Sequence, residues 1–242
     1  MLSIFKREMH SYFTTSIGYI FLTLSLAVSA LIFGLTTLMI KSSHTSLYFT
    51  FIIFMFVIFL PILTMKTFSD EKKTKTEQLL YTSPVSMTGI VMGKFLACSA
   101  MFSIYVLLSS INFFTLYKFA QVDFYTQRPP NFYMIFGGLI AVLLVGMAFI
   151  AVGVFVSSLT ENQFAAVLIT VVVLLLFLVV NIFNGQNVWY PIRVVLNWLS
   201  VFSRYQAFAY GIFDIGAFVY YLSIMGVFIF LTVRVLDSRR YR

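Results

Sequence analysis

Charged residues are scarce in this chain. Asp, Glu, Lys and Arg make up only 10% of its 242 residues, against about 25% in ordinary soluble domains. Apolar runs longer than about 18 residues recur along the chain, and such runs are typical of membrane-spanning helices. The scarcity of charge therefore excludes a soluble globular protein. It predicts an all-α polytopic membrane protein in which residues 1–242 form a single transmembrane domain.

Residue types that carry out catalysis are also few. The one cysteine, Cys98, has no second cysteine to pair with and lies in an apolar run, as a small buried residue does. The only Gly-Lys pair, Gly93-Lys94, lacks the spacing of a phosphate-binding loop. No H-E-x-x-H motif is present, and the eight carboxylates mostly lie at the ends of apolar runs. These absences predict that the chain is not an enzyme and binds no cofactor or metal directly.

Six apolar segments are long enough to cross a hydrocarbon core, which takes about 20 helical residues. They cover residues 17–40, 47–65, 90–117, 132–158, 163–183 and 216–235. We therefore predict six transmembrane helices.

The first 15 residues have a different pattern, in which apolar and charged side chains alternate with helical spacing. One helical face collects Leu2, Phe5, Met9, Tyr12 and Phe13. This pattern predicts an amphipathic helix over residues 1–15 that lies at the bilayer interface. The alternative is a frayed tail.

The distribution of Lys and Arg predicts the orientation of the chain. With both termini on one side, that side collects eleven of the 16 basic residues, and the opposite side has five. The positive-inside rule then places both termini in the cytosol. The basic residues form no stripe with interleaved aromatic residues, so the formal charge of +8 does not indicate a nucleic-acid partner.

The longest charged passage reads TMKTFSDEKKTKTEQLLYTSPVS and lies between the second and third segments. Thr74 and Glu77 have the spacing of a capping box, which predicts a helix beginning at Thr74. That helix must end before Pro84, because the residue preceding a proline disfavours the α conformation. We interpret residues 66–89 as a cytosolic loop whose short helix lies across the ends of two spans. A solvated loop without such a helix is the alternative.

A similar signal, SLTENQFAA, precedes the fifth segment. Thr160 and Gln163 have the spacing of a second capping box, which predicts the start of that helix. Glu161 lies in this tight turn and is a candidate for a second cytosolic contact.

The segment between spans five and six, residues 184–215, is rich in aromatic residues and poor in charge. Trp and Tyr favour the membrane interface, and the segment is too apolar for a free loop. We predict short re-entrant helices in the outer leaflet here. Asp214 is expected to cap the last span or to pair with an arginine.

Three stretches of the sequence resemble one family. The stretch FSDEKKTKTEQLLYTSPVSMTGIVMGKFLA is similar to the loop between spans two and three of ABC-2 type ABC transporter permeases, especially the gliding-motility (GldF-like) subgroup. VGVFVSSLTENQFAAVL resembles the family's tight turn between spans four and five. The stretch from LSVFSRYQAFAYGIFD to the basic tail resembles its outer segment and sixth span.

This resemblance implies a transmembrane subunit whose short helix is a coupling helix. Such a helix docks in a groove of a separate ABC ATPase subunit, which binds the ATP and Mg²⁺. The residues that the resemblance assigns to this contact are Asp70, Glu71, Thr74, Glu77, Leu80, Tyr81 and Pro84. Lys75 stands where a glycine is common in the family, so we expect the coupling helix to begin with a less sharp bend.

The function that the resemblance implies is that of a permease in an ATP-driven exporter of a prokaryotic cytoplasmic membrane. It would work as a homodimer or heterodimer, in contact with the lipid bilayer, on an amphipathic substrate. The alternative is a scaffold or mechanotransmission subunit, in which the same ATPase drives an extracytoplasmic accessory protein.

Overall fold

The computed structural model describes residues 1–39, 45–77, 86–119, 131–179 and 200–240, and these residues are helical with short connections. In chain order the helices are α1 (Leu2–Thr14), α2 (Ser16–Phe33), a π-helical extension (Gly34–Leu38), α3 (Ser46–Thr64), α4 (Lys66–Lys73), α5 (Met87–Ser109), α6 (Asn112–Phe119), α7 (Phe132–Leu159), α8 (Gln163–Val179), α9 (Val201–Ala209) and α10 (Ile215–Arg240).

Five stretches of the described chain are long and apolar enough to cross a membrane. They are Ser16–Leu38, Ser46–Lys73, Met87–Leu116, Phe132–Leu159 and Ile215–Arg240. The apolar helix α8 corresponds to the remaining predicted span, and 17 of its residues are described. The chain is therefore a multi-pass helical membrane protein with five candidate spans, and the sixth span stays a prediction.

Helix α7 lies at the centre of the bundle. It packs against α3, α5, α8, α9 and α10, and 72% of its most apolar stretch is buried, against 28% for the first and last spans. Three glycines let neighbouring side chains approach its backbone. Phe49 lies against Gly138, Phe102 against Gly146, and Thr64 against Gly153.

Aromatic side chains fill the space between the spans. The rings of Phe56 and Phe102 have centroids 5.0 Å apart in an edge-to-face arrangement, and Tyr48 meets Phe113 in the same way at 5.5 Å. Such edge-to-face pairs contribute beyond the area that they bury. In the membrane this dense packing holds the helices together, because lipid is as apolar as the side chains themselves.

The N-terminal amphipathic helix is present as α1, and its packed side agrees in part with the predicted face, because Tyr12 is buried and Phe5 and Met9 pack against the core. Ile4 and Tyr12 are buried, whereas Leu2 is 73% exposed and Phe13 is 40% exposed. The reason is that α1 packs against α5, where Gly93 lets Ile4 approach. The Tyr12 hydroxyl donates to the Leu63 carbonyl at 3.3 Å, and burial raises the pKa of the Tyr12 phenol, so this group stays neutral.

The outer segment is described from residue 200 onwards. It contains one short helix, α9, which packs against α7 and α8 and buries Tyr205 and Phe208. Gly211 then has a φ of 77°, a left-handed conformation that favours glycine. Asp214 caps α10, because its Oδ1 accepts from the Gly216 amide at 2.8 Å. The capping role predicted for Asp214 is thus confirmed.

Candidate functional site

A buried ion-pair network lies at one end of the bundle, with Lys94 of α5 at its centre. This side chain is only 1% exposed. Its Nζ atom donates to Glu8 Oε1 at 3.0 Å, to Glu71 Oε1 at 2.9 Å and to the Thr67 carbonyl at 2.6 Å. It also lies 5.0 Å from the centre of the Phe68 ring. We refer to Glu8, Glu71 and Lys94, with Arg7, as the Lys94 network.

Arg7 closes the network on its exposed side. Its Nη2 atom lies 3.1 Å from both Glu8 Oε1 and Glu71 Oε1, and its side chain is 56% exposed. Because two cations face two carboxylates, the network is neutral overall, which is what burial of charge requires. It joins α1, α4 and α5 through side chains that are far apart in the sequence.

A second set of polar contacts ties α4 to α7. Ser157 Oγ accepts from the amides of Phe68 at 3.1 Å and Ser69 at 3.2 Å, and it donates to the Met65 carbonyl at 3.1 Å. The buried Lys72 ammonium donates to the Ser158 carbonyl. Helix α4 is therefore a fixed extension of the second span, although its sequence is strongly charged.

The predicted site residues Asp70 and Glu71 both make internal contacts. Glu71 belongs to the Lys94 network, and Asp70 Oδ1 accepts from Gln163 Nε2 of α8 at 2.7 Å. The ends of the second and fifth segments are thus joined directly. We call the region that includes the Lys94 network, α4 and the start of α8 the charged end of the bundle.

The capping box predicted at Thr160 is wrong. Thr160 is the C-cap residue of α7, and its hydroxyl donates to the Val156 carbonyl at 3.3 Å. The residue that caps α8 is Asn162, whose Oδ1 accepts from the Phe164 amide at 3.0 Å. The Gln163 side chain does not bond back to the N-cap backbone, as it would in a capping box. It donates to Asp70 instead.

The prediction that a helix begins at Thr74 is also wrong. Thr74 is the C-cap of α4, and its hydroxyl donates to the Asp70 carbonyl at 2.9 Å. A turn over residues 74–76 follows, and Glu77 is helical again. The physical reason is Lys75, whose φ of 57° is left-handed and stops α4, as a glycine often does after a helix. Lys75 therefore adopts the backbone conformation that a glycine favours.

Replacing Lys75 with glycine is expected to stabilise the charged end by about 0.5–1 kcal/mol, because a side chain at positive φ is strained. The gain is partial because glycine loses more backbone freedom on folding. Unfolding titrations in mixed micelles measure the change. Lys75→Ala, which keeps the strain, is the control and should show no such gain. Equal stability of the glycine and alanine variants would contradict the prediction.

Of the remaining predicted site residues, the structure describes Glu77 and Glu161. Glu77 follows α4 and Glu161 follows α7, and the ends of these two helices are joined by the bond from Lys72 to the Ser158 carbonyl. Leu80, Tyr81 and Pro84 lie outside the described residues. The chain is described again from Ser86, whose Oγ accepts from the Gly89 amide at 3.3 Å and caps α5.

The sequence patterns do not indicate Glu8 and Lys94 as site residues. They place Glu8 in an interfacial helix and Lys94 in the basic flank of a span. One signal was available, because Lys94 follows Gly93 inside a long apolar run, and a charge in such a position requires partners. Which partners it has depends on how α1 folds back onto α5, and sequence spacing does not show this.

The fold and the charged end define a multi-pass membrane subunit with a rigid polar region at one end of its helices. A family model described as ABC-2 family transporter protein matches residues 21–236, which is most of the chain. The chain therefore belongs to the ABC-2 transporter family and is a permease subunit of an ABC transporter. A comparison with curated proteins gives no match.

Proposed function

We propose that the chain is the permease of an ATP-driven exporter, in which hydrolysis of ATP by a separate ABC ATPase moves an amphipathic substrate out of the cytosol or inner leaflet. The ATPase would bind the ATP and Mg²⁺. Membership of the ABC-2 family supports a partnership with such an ATPase. The placing of the subunit within the gliding-motility subgroup rests on the resemblance of the loop sequence.

The observation that carries the coupling proposal is the rigid base of the loop between spans two and three. Helix α4 leads into this loop and is bonded to α1 and α5 through Glu71, to α7 through Ser157, and to α8 through Asp70. A force applied to the loop would therefore reach four helices at once. Rigid-body movement of packed helices is a usual form of switching in proteins.

Within this proposal the charged residues have two roles. Asp70 and Glu71 hold the base of the loop through their bonds to Gln163 and Lys94. They contact the ATPase only at the edge of the docking interface. We assign the docking face of the coupling helix to Glu77, Leu80 and Tyr81, with Pro84 after its end; Thr74 ends α4 before the turn that leads to it. Glu161 contributes a second contact, since it follows the end of α7, where the Ser158 carbonyl accepts from Lys72 of α4.

We further propose six spans, both termini in the cytosol, and a second permease subunit, identical or similar. The first and last spans support a dimer, because many of their large apolar side chains are uncovered within one chain. Lipid covers whatever part of these faces the second subunit leaves open.

The coupling proposal is tested with the chain purified in lipid nanodiscs together with its ABC ATPase. Leu80→Arg combined with Tyr81→Ala is expected to lower ATP turnover at least ten-fold and to weaken copurification, because a charge replaces the apolar docking contact. Loss of an anchor residue in an interface typically costs 2 kcal/mol or more, which is about a thirty-fold change in affinity.

The matched control is Ser238→Arg, which adds the same charge at an exposed position of α10. It is expected to leave turnover within two-fold of the wild type. Unchanged turnover in the double variant would contradict the assignment of residues 77–84 as the coupling helix. Turnover that depends on these residues without movement of any amphipathic probe would favour the mechanotransmission alternative.

A further inference from the structure

The second span is interrupted near the charged end, where Met65 separates α3 from α4. In an uninterrupted helix each amide donates to the carbonyl four residues earlier. At this interruption the amides of Phe68 and Ser69 donate to the Ser157 hydroxyl of α7, at 3.1 and 3.2 Å. The same hydroxyl donates to the Met65 carbonyl at 3.1 Å. A side chain of α7 is therefore inserted into the backbone hydrogen-bond ladder of the second span.

The hydrogen-bonding capacity of the Ser157 hydroxyl is fully used by these contacts. A serine hydroxyl has one donor and two acceptor lone pairs, and the three bonds to α4 and Met65 occupy all of them. Ser157 and Ser69 are 0% exposed and Phe68 is 3% exposed, so solvent does not compete for these groups. Removal of the hydroxyl would leave two amides of α4 without this acceptor in a buried position, which is costly.

The Ser157 link is stiffer than the charged bonds that α4 makes. Asp70 bonds to Gln163, and Glu71 bonds to Lys94, through long side chains on both partners. Several rotatable bonds therefore lie between the backbones that these pairs join. Ser157 contacts main-chain atoms of α4, so only the short serine side chain lies between the backbones of α4 and α7. A displacement of α4 consequently reaches α7 with little loss to side-chain rotation.

The face of α7 that receives the interruption is formed by small residues. Gly153 precedes Ser157 by four residues, so the two positions lie on the same side of the helix. Thr64, the last residue of α3, lies against Gly153, where an added Cβ would be 2.2 Å from the Thr64 hydroxyl oxygen. The end of α3 and the start of α4 therefore both contact one face of α7, the helix at the centre of the bundle.

We propose that Ser157 is a positioning residue that transmits movement of the loop between spans two and three to α7. The interruption at Met65 weakens the direct connection along the second span, because the backbone ladder is not continuous there. The Ser157 hydroxyl connects α4 to the central helix instead, and a movement of α7 changes its packing against the other spans. The use of this link in transport rests on the proposed function, whereas the link itself is tested with the permease chain alone.

The first test is hydrogen exchange of the full chain in lipid nanodiscs. Ser157→Ala should make the amides at the start of α4 exchange about ten-fold faster, because two of them lose their acceptor. Ser158→Ala is the matched control, since this hydroxyl is equally buried but bonds within α7, to the Phe155 carbonyl at 2.7 Å. Equal exchange of α4 in the two variants would overturn the proposal. Faster exchange in α10 as well, or loss of the fold, would show a general packing role and would also overturn it.

The second test uses the complex with the ABC ATPase and spin labels at the opposite end of the bundle. Leu107 of α5 and Phe136 of α7 are 70% and 55% exposed and suit such labels, with the buried Cys98 replaced by alanine. A non-hydrolysable ATP analogue should change the distance between these labels in the otherwise unchanged chain and with Ser157→Thr, which keeps the hydroxyl.

With Ser157→Ala the distance change should be lost, although the ATPase still copurifies. A distance change that persists in this variant would overturn the proposal. Absence of ATPase binding to the unchanged chain would count against the proposed function, and hydrogen exchange would then still decide whether Ser157 links α4 to α7.

Discussion

Replacement of Lys94 by leucine is expected to destabilise the chain by about 3–5 kcal/mol. The change leaves the carboxylates of Glu8 and Glu71 facing an apolar side chain, with only Arg7 to balance them. Breaking a buried ion pair in this way costs far more than the pair itself contributes, because an uncompensated charge remains. Unfolding of the purified chain by SDS in mixed micelles measures the loss.

The control for this prediction removes the whole network. In the triple variant Glu8→Gln, Glu71→Gln and Lys94→Leu, no buried charge is left without a partner, so most of the stability should return. Lys73→Leu on the exposed face of α4 is a second control and should change stability by less than about 0.5 kcal/mol. A single Lys94→Leu variant as stable as the wild type would contradict the description of this network as the core of the charged end.

The second large effect is expected from Gly146 in the centre of α7. An alanine Cβ at this position would lie 2.2 Å from the ring of Phe102, and that ring is fully buried between Phe56 and Tyr105. Overpacking of this kind costs about 1–3 kcal/mol. Gly146→Ala should therefore lower stability, even though alanine favours a helix more than glycine does.

Gly226 in α10 provides the matched control, because no atom outside its own helical turn in the described part of the chain lies within 4 Å of the position of its missing Cβ. Gly226→Ala should be neutral or stabilise the chain by up to about 1 kcal/mol, since only helix propensity changes. Adding Phe102→Leu to Gly146→Ala is expected to recover part of the loss by making room. If Gly146→Ala and Gly226→Ala have the same effect, the close approach of Phe102 does not limit the packing of α7.

Five of the six predicted segments correspond to helices long and apolar enough to span a membrane, because these properties can be seen in the sequence itself. The N-terminal helix was also predicted, but its apolar face was expected to lie on the bilayer, whereas Phe5, Met9 and Tyr12 pack against the protein core. An amphipathic pattern shows that one side is apolar without showing whether lipid or protein covers it. Here Leu2 and Phe13 are exposed, and Ile4 packs against Gly93 of a distant helix.

The two capping-box predictions failed at threonines that make the same kind of bond. A threonine hydroxyl near the end of a helix can donate back to the carbonyl four residues earlier, and this bond competes with the cap. Thr74 bonds to Asp70 and Thr160 to Val156 in this way. Both threonines therefore end a helix, and the spacing to Glu77 or Gln163 carries no information about where the next helix begins.

The Lys94 network could not be predicted from the sequence, and the reason is different. Its members are separated by 86 residues between Glu8 and Lys94 and by 23 residues between Glu71 and Lys94. Local patterns describe one helix at a time, whereas this network depends on three helices meeting at one point. Once α1 lies on α5, the burial of Lys94 leaves the two carboxylates as its only charged partners among the described residues.

The separation of Glu8 from Lys94 also has a consequence for biosynthesis. The N-terminal part of a chain is made first, so Glu8 and Arg7 leave the ribosome well before Lys94 exists. During this interval α1 can rest on the membrane surface through Leu2 and Phe13, which stay exposed in the finished fold. The charged end closes only after the third span has been synthesised and has joined the first two.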